Sequence, residues 1–218
     1  MTRTVPVVLV PGGLYQPLGP EEFWERPGVA PALRRLGYPV RTPARLDRPS
    51  GWPAEADHLE AALVGEPGPV AVVAASNGCS AALRLVLRRP DLVSQLVLCW
   101  PATGDDPEVD RAERRRLASC GVDAAAAATL IDGECQRGVR PDELRALIVP
   151  TVLVPAEPED PHHQRRTVAA LRHLLPRAAV GLGTPPSPHE GFAGHLGALV
   201  SLLDVVLFGA ASSDHRQG

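Results

Sequence analysis

The chain of 218 residues carries 22 Arg and no Lys against 25 Asp and Glu, for a net charge of −3. That length suits one domain with a substantial buried core. The nearly balanced charge argues against a polyanion-binding face, so no nucleic-acid partner is expected. Four cysteines, Cys79, Cys99, Cys120 and Cys135, form no C-x-x-C pair and no Cys/His ligand spacing. Reduced thiols and a cytoplasmic protein are the expectation. The chain reaches its first apolar run by Val5 with no signal-peptide pattern before it. The apolar run at 196–208 is too short to span a bilayer and contains Asp204, so no membrane insertion is expected.

Taken in order, 5–10 reads as a strand with Pro6 near its start, where proline is tolerated. It runs into Pro11-Gly12-Gly13-Leu14-Tyr15, where two glycines allow close approach of backbone to a ligand. A short helix over 28–36 stops at Gly37, a common C-cap residue. A strand at 38–42, a Pro- and Arg-rich loop at 43–53 and a helix at 54–64 come next. Residues 70–75, VAVVAA, form a continuous apolar run that reads as a buried strand. Residues 81–88 then carry apolar side chains at helical spacing. Between the two lies only Ala74-Ala75-Ser76-Asn77-Gly78, so the strand turns straight into the helix through a serine. Small residues two places before and after that serine let the arms of the turn crowd together.

Strand 93–100 is followed by Asp105 and Asp106, then by one alanine-rich helix at 108–131, a loop at 132–141 and a short helix at 142–147. A strand at 150–155 precedes the acidic loop 156–161. A helix at 162–175, a last strand at 179–182 and a proline-rich loop at 183–190 lead to a final amphipathic helix. The alternation of strand and helix implies a parallel sheet with helices on both faces. A single domain is expected over 1–209, with a polar, disordered tail at 210–218.

The turn around Ser76 resembles the G-x-S-x-G nucleophile elbow of the α/β-hydrolase superfamily, with Ala74 in place of the first glycine. VVLVPGGLY is similar to that family's oxyanion loop, with Pro11 where the family has histidine, and RRPDLVSQLVLCWPA is similar to its passage after the elbow. The resemblance extends over about 5–208 and implies a compact α/β-hydrolase fold of about six parallel strands. It also implies a very short lid, about 105–140. Ligands of such sheets sit at the carboxyl ends of the strands.

A serine hydroxyl needs a base, and the base needs an orienting carboxylate; the family order is Ser, acid, His. Asp160, just after the strand PTVLV, is the chosen acid, with Glu157, Glu159, Asp105 and Asp106 as neighbours able to substitute. His189, in the loop between the last strand and the last helix, holds the position the family gives its base, with His195 the fallback. His162 and His163 open a predicted helix and read as solvated. The resemblance implies a Ser76–His189–Asp160 triad and oxyanion donors at the N–H of Asn77 and of Gly13 or Leu14. Tyr15, Phe23, Trp24, Trp100 and Phe192 are the aromatic residues expected near the mouth, which implies an apolar pocket for a small ester, lactone or thioester. No metal or organic cofactor is required, and a small molecule is the only partner implied. Two other readings keep the fold: a lyase or cyclase acting without water, marked by the changes at Ala74 and Pro11, and a non-catalytic ligand-binding protein.

Overall fold

The computed structural model describes residues 5–16 and 18–214, with side chains as far as 208. Six strands form one sheet: β1 (Val7–Val10), β2 (Val40–Arg41), β3 (Val70–Ala75), β4 (Val93–Cys99), β5 (Thr151–Val154) and β6 (Ala178–Val180). Their order is β2-β1-β3-β4-β5-β6, and every pairing is parallel. From β1 the chain steps outward to β2 and then returns to the other side at β3. The carboxyl ends of β1 and β3 therefore diverge at a switch point, where open α/β sheets place their ligands.

The helices are α1 (Val29–Arg35), α2 (Trp52–Ala62), α3 (Gly78–Arg88), α4 (Pro107–Ser119), α5 (Ala124–Ile131), α6 (Pro141–Ala146), α7 (Arg165–Leu174) and α8 (Leu196–Asp214). Because side chains alternate along a strand, the central strand β3 feeds two cores. Val72 and Ala74 face one cluster with Leu59, Leu83, Leu96 and Leu171. Ala71, Val73 and Ala75 face the other, with Trp24, Leu33, Trp100 and Leu203. The α/β-hydrolase fold inferred from the turn at Ser76 is the fold observed.

Three stretches differ from the sequence expectation. The helix expected over 108–131 is two helices: Gly121 adopts φ +81°, and Asp123 caps the second by accepting the Ala126 N–H at 2.9 Å. The helix expected from 162 begins only at Arg165, because residues 160–163 form a separate turn. At the C-terminus α8 continues through Asp214, inside the stretch expected to be a disordered tail, and 215–218 lie outside the described residues. The segment Glu190–Phe208 is long and apolar enough to cross a membrane by length and composition. Its Phe192, Leu199, Leu203 and Leu207 are nonetheless buried in the second core.

Candidate active site

β3 ends at Ala75, and Ser76 follows at φ +49°, in the left-handed region that L-residues adopt at a cost. The strain is held from both sides. The Ser76 N–H donates to the Cys99 carbonyl at 3.0 Å, and the Cys79 N–H, in the first turn of α3, donates to the Ser76 carbonyl at 3.0 Å. A side chain at Gly78 would put its Cβ 2.4 Å from the Pro11 carbonyl oxygen, so only glycine lets α3 start this close to the loop after β1. Ala74 needs no such freedom: it lies inside the strand, fully buried, paired with Val10, and its methyl group fills the core.

The acid comes from the loop after β5. Pro161 lacks an N–H, and the chain folds into a tight turn in which the His163 N–H donates to the Asp160 carbonyl at 3.1 Å. Asp160 then uses its two carboxylate oxygens separately. Oδ1 accepts the His162 N–H at 2.7 Å, fixing the carboxylate, and Oδ2 lies 2.9 Å from Nδ1 of His163. Nε2 of the same ring is 3.0 Å from Oγ of Ser76. With Nδ1–H donating to Asp160, Nε2 is the acceptor for the serine hydroxyl, which is the relay a serine nucleophile requires. The His162 carbonyl accepts the Thr103 N–H at 2.7 Å, and Thr103 Oγ1 accepts the Gln164 N–H at 3.0 Å, so the turn is moored to the loop after β4.

The partner of Ser76 is therefore His163 and not the expected His189. His163 sits in a turn, only 13 % exposed, and not on a solvated helix end. His189 heads the 3₁₀ segment Glu190–His195 and lines the same cavity, with no hydrogen bond to Ser76 among the described residues. The other acids are engaged elsewhere. Asp106 caps α4 and also accepts from Gln164 and Arg166, Glu157 pairs with Arg165, and Glu159 accepts the Arg165 N–H.

Burial pushes the Asp160 carboxyl up, but the hydrogen bond and charge of His163 outweigh it and bring the pKa down to about 2. A carboxylate depressed on folding stabilises the native state above its unfolded pKa, and that contribution fades as pH falls toward the folded value. With the carboxylate one-third exposed, about 1 kcal/mol is expected from Asp160, present above pH 4 and lost between pH 4 and 2. Denaturant titrations of the wild type and Asp160→Asn over that range should show the stability gap closing as pH falls.

Ser76, Asn77, Asp160 and His163 open into a cavity of about 510 Å³. Gly13, on the loop after β1, lines it together with Asn77 at the head of α3, while the side chain of Leu14 packs into the first core. The loop is gripped from behind by Arg45, whose Nη1 donates to the carbonyls of Gly13 and Gly12 at 2.6 and 3.2 Å. Arg45 in turn forms a buried ion pair with Glu55 at 2.8 Å. Sequence pattern offered no signal for this pair.

Of the aromatics, Phe23 and Trp100 line the cavity. Trp24 and Phe192 do not: Trp24 stacks on the back of Trp100 at 6.4 Å between ring centroids, and Phe192 meets Trp100 edge-on at 5.9 Å. They hold the wall and are not part of it. Tyr15 lies against a smaller neighbouring cleft and donates its hydroxyl to the Pro49 carbonyl. The lining also has a polar part, with Glu113, Arg116, Arg137 and His162. Arg137, in the loop between α5 and α6, and Arg116 and Glu113, on α4, were not anticipated, since lone charges in a lid segment read as solvated faces.

The fold and the placement of Ser76 at the strand-to-helix turn are those of the α/β-hydrolase fold. By sequence, no protein-family model and no curated protein matches the chain. Solved structures do resemble it. The Mycobacterium tuberculosis protein Rv0554 is 17 % identical at a TM-score of 0.74, over 96 % of this chain and 92 % of that one. A thermophilic esterase from Thermogutta terrifontis is 18 % identical at 0.71, over 96 % and 92 %. A meta-cleavage product hydrolase from Pseudomonas fluorescens IP01 is 19 % identical at 0.71, over 97 % and 93 %.

Proposed function

We propose that the protein is a serine hydrolase that cleaves a small carboxylic ester, lactone or thioester through an acyl-enzyme on Ser76. The observation that carries this reading is the unbroken relay Asp160–His163–Ser76 at the mouth of a cavity, with contacts of 2.9 and 3.0 Å. Hydrolases among the similar folds, an esterase included, support it.

In this reading Ser76 Oγ attacks the substrate carbonyl carbon as Nε2 of His163 takes the hydroxyl proton. The negative charge that develops on the carbonyl oxygen is met by the N–H groups of Asn77 and Gly13. On collapse, the bond to the leaving oxygen or sulfur breaks and His163 returns its proton to that atom. A water then enters, gives its proton to His163 and attacks the acyl carbon; collapse frees the acid and restores the Ser76 hydroxyl. Asp160 holds the ring and stabilises its charged form throughout. Cys79 and Cys99, which burial pushes up in pKa, stay as protonated thiols in the core and fit a reducing, cytoplasmic setting.

A fluorophosphonate probe followed by peptide mass spectrometry tests the reading. Labelling at Ser76, absent in Ser76→Ala, is expected. An unlabelled, folded wild type would demote hydrolysis in favour of non-covalent ligand binding.

A further inference from the structure

The cavity lining is of two unlike kinds: apolar side chains, Phe23, Leu18 and Trp100, and charged ones, among them Arg137 from the loop between α5 and α6. Arg137 is only 2 % exposed, yet its guanidinium is poorly satisfied. Nη1 donates to Asn77 Oδ1 at 3.0 Å. Nε has no partner, and Nη2 has only Asp110 Oδ1, at 3.8 Å, beyond hydrogen-bond reach. Among the described residues no carboxylate lies within hydrogen-bond distance of it. Glu113, whose charge acts on Arg137 more than that of Asp110, makes its hydrogen bonds to Arg116 instead, at 2.8 and 3.2 Å. Asp110 is an incomplete counter-ion, because burial also pushes its carboxyl upward and weakens its charged form.

A buried cation without a close anion costs several kcal/mol unless something completes it. Here that cation borders the nucleophile's cavity and touches the residue next to Ser76. An arginine fork matches a carboxylate in shape and charge. We infer that the substrate carries a carboxylate a short distance from its scissile carbonyl, and that Arg137 receives it while the apolar part of the lining takes the remainder. This rests on the hydrolase reading above and narrows its substrate class to half-esters or half-thioesters of short dicarboxylic acids.

Ethyl hydrogen succinate and ethyl butyrate, matched in length, test the inference. Wild-type kcat/KM should favour the half-ester by about ten- to a hundred-fold, the range of a charge-assisted hydrogen bond. Arg137→Gln should bring the ratio of the two values close to one, whatever it does to turnover of both. Asp110→Asn, which keeps Arg137 and removes its loose counter-ion, should raise the ratio. A wild-type ratio of one or below, or a ratio unmoved in both variants, overturns the carboxylate site while leaving hydrolysis standing. If neither ester is cleaved, hydrolysis of these esters fails and calorimetry on Ser76→Ala decides the site. Binding of ethyl hydrogen succinate that is lost in Ser76→Ala/Arg137→Gln supports it, and no binding overturns it.

Discussion

His163→Ala should lower kcat/KM toward a small ester by about a million-fold, the cost of removing the base from a serine relay. His189→Ala should cost no more than about tenfold and act mainly through KM. Only the first change removes the acceptor 3.0 Å from Ser76 Oγ; the second trims the lining of the cavity. The fluorophosphonate reaction separates the cases without any substrate, since labelling needs an activated serine and no particular acyl group. It should be lost with His163→Ala and retained with His189→Ala. The reverse pattern would mean that the ring from the last loop displaces His163 in the working enzyme.

Arg45→Ala is expected to destabilise the fold by about 3–5 kcal/mol, because it leaves Glu55, fully buried, with an uncompensated charge. It also strips the donor from the carbonyls of Gly12 and Gly13, in the loop after β1 that the proposed mechanism uses. The double variant Arg45→Met/Glu55→Leu separates the two losses. Replacing a buried ion pair by apolar side chains of similar size is often neutral for stability, so most of the lost melting temperature should return. Activity should not, because nothing then holds the carbonyl face of the loop. Thermal unfolding beside ester turnover reads both, and full recovery of activity would show that the loop keeps its shape without Arg45.

Much of the fold was legible in the sequence because its central strands are buried on both faces. VAVVAA and VSQLVLC offer no alternation to misread, and Ser76 stands where one such run meets a helix with no residue to spare. The acid was legible for the same reason, as the carboxylate in the loop just past β5. The base was not. Residues from His162 onward lead into a helical pattern, and that pattern hides a four-residue turn whose hydrogen bonds come from the Asp160 side chain and backbone. An acid followed three residues later by a histidine, directly after a strand, was the available signal. The aromatic wall was half legible: the resemblance put Tyr15, Phe23, Trp24, Trp100 and Phe192 near the mouth, but it could not say that only Phe23 and Trp100 line the cavity. The reach of Arg137 to Asn77 and that of Arg45 to Gly13 are long-range contacts that leave no local periodicity.

The turn at 160–163 puts the acid and the base on one short piece of chain, moored to the loop after β4. A relay assembled from a loop after the last strand takes one member from the far end of the chain; this one does not. By His163 the chain has already supplied Ser76, Asp160 and His163 itself, together with Gly13 and Asn77 beside them in the cavity. The residues beyond His163 contribute packing and, through Pro186, Ser187, Pro188 and His189, one rim of the cavity. One rim of the cavity is thus separable along the chain from the Ser76–His163–Asp160 contacts: the stretch 186–189 can be rebuilt or lengthened without touching any of the three, whereas Arg137, Phe23 and Trp100 precede His163 in the sequence.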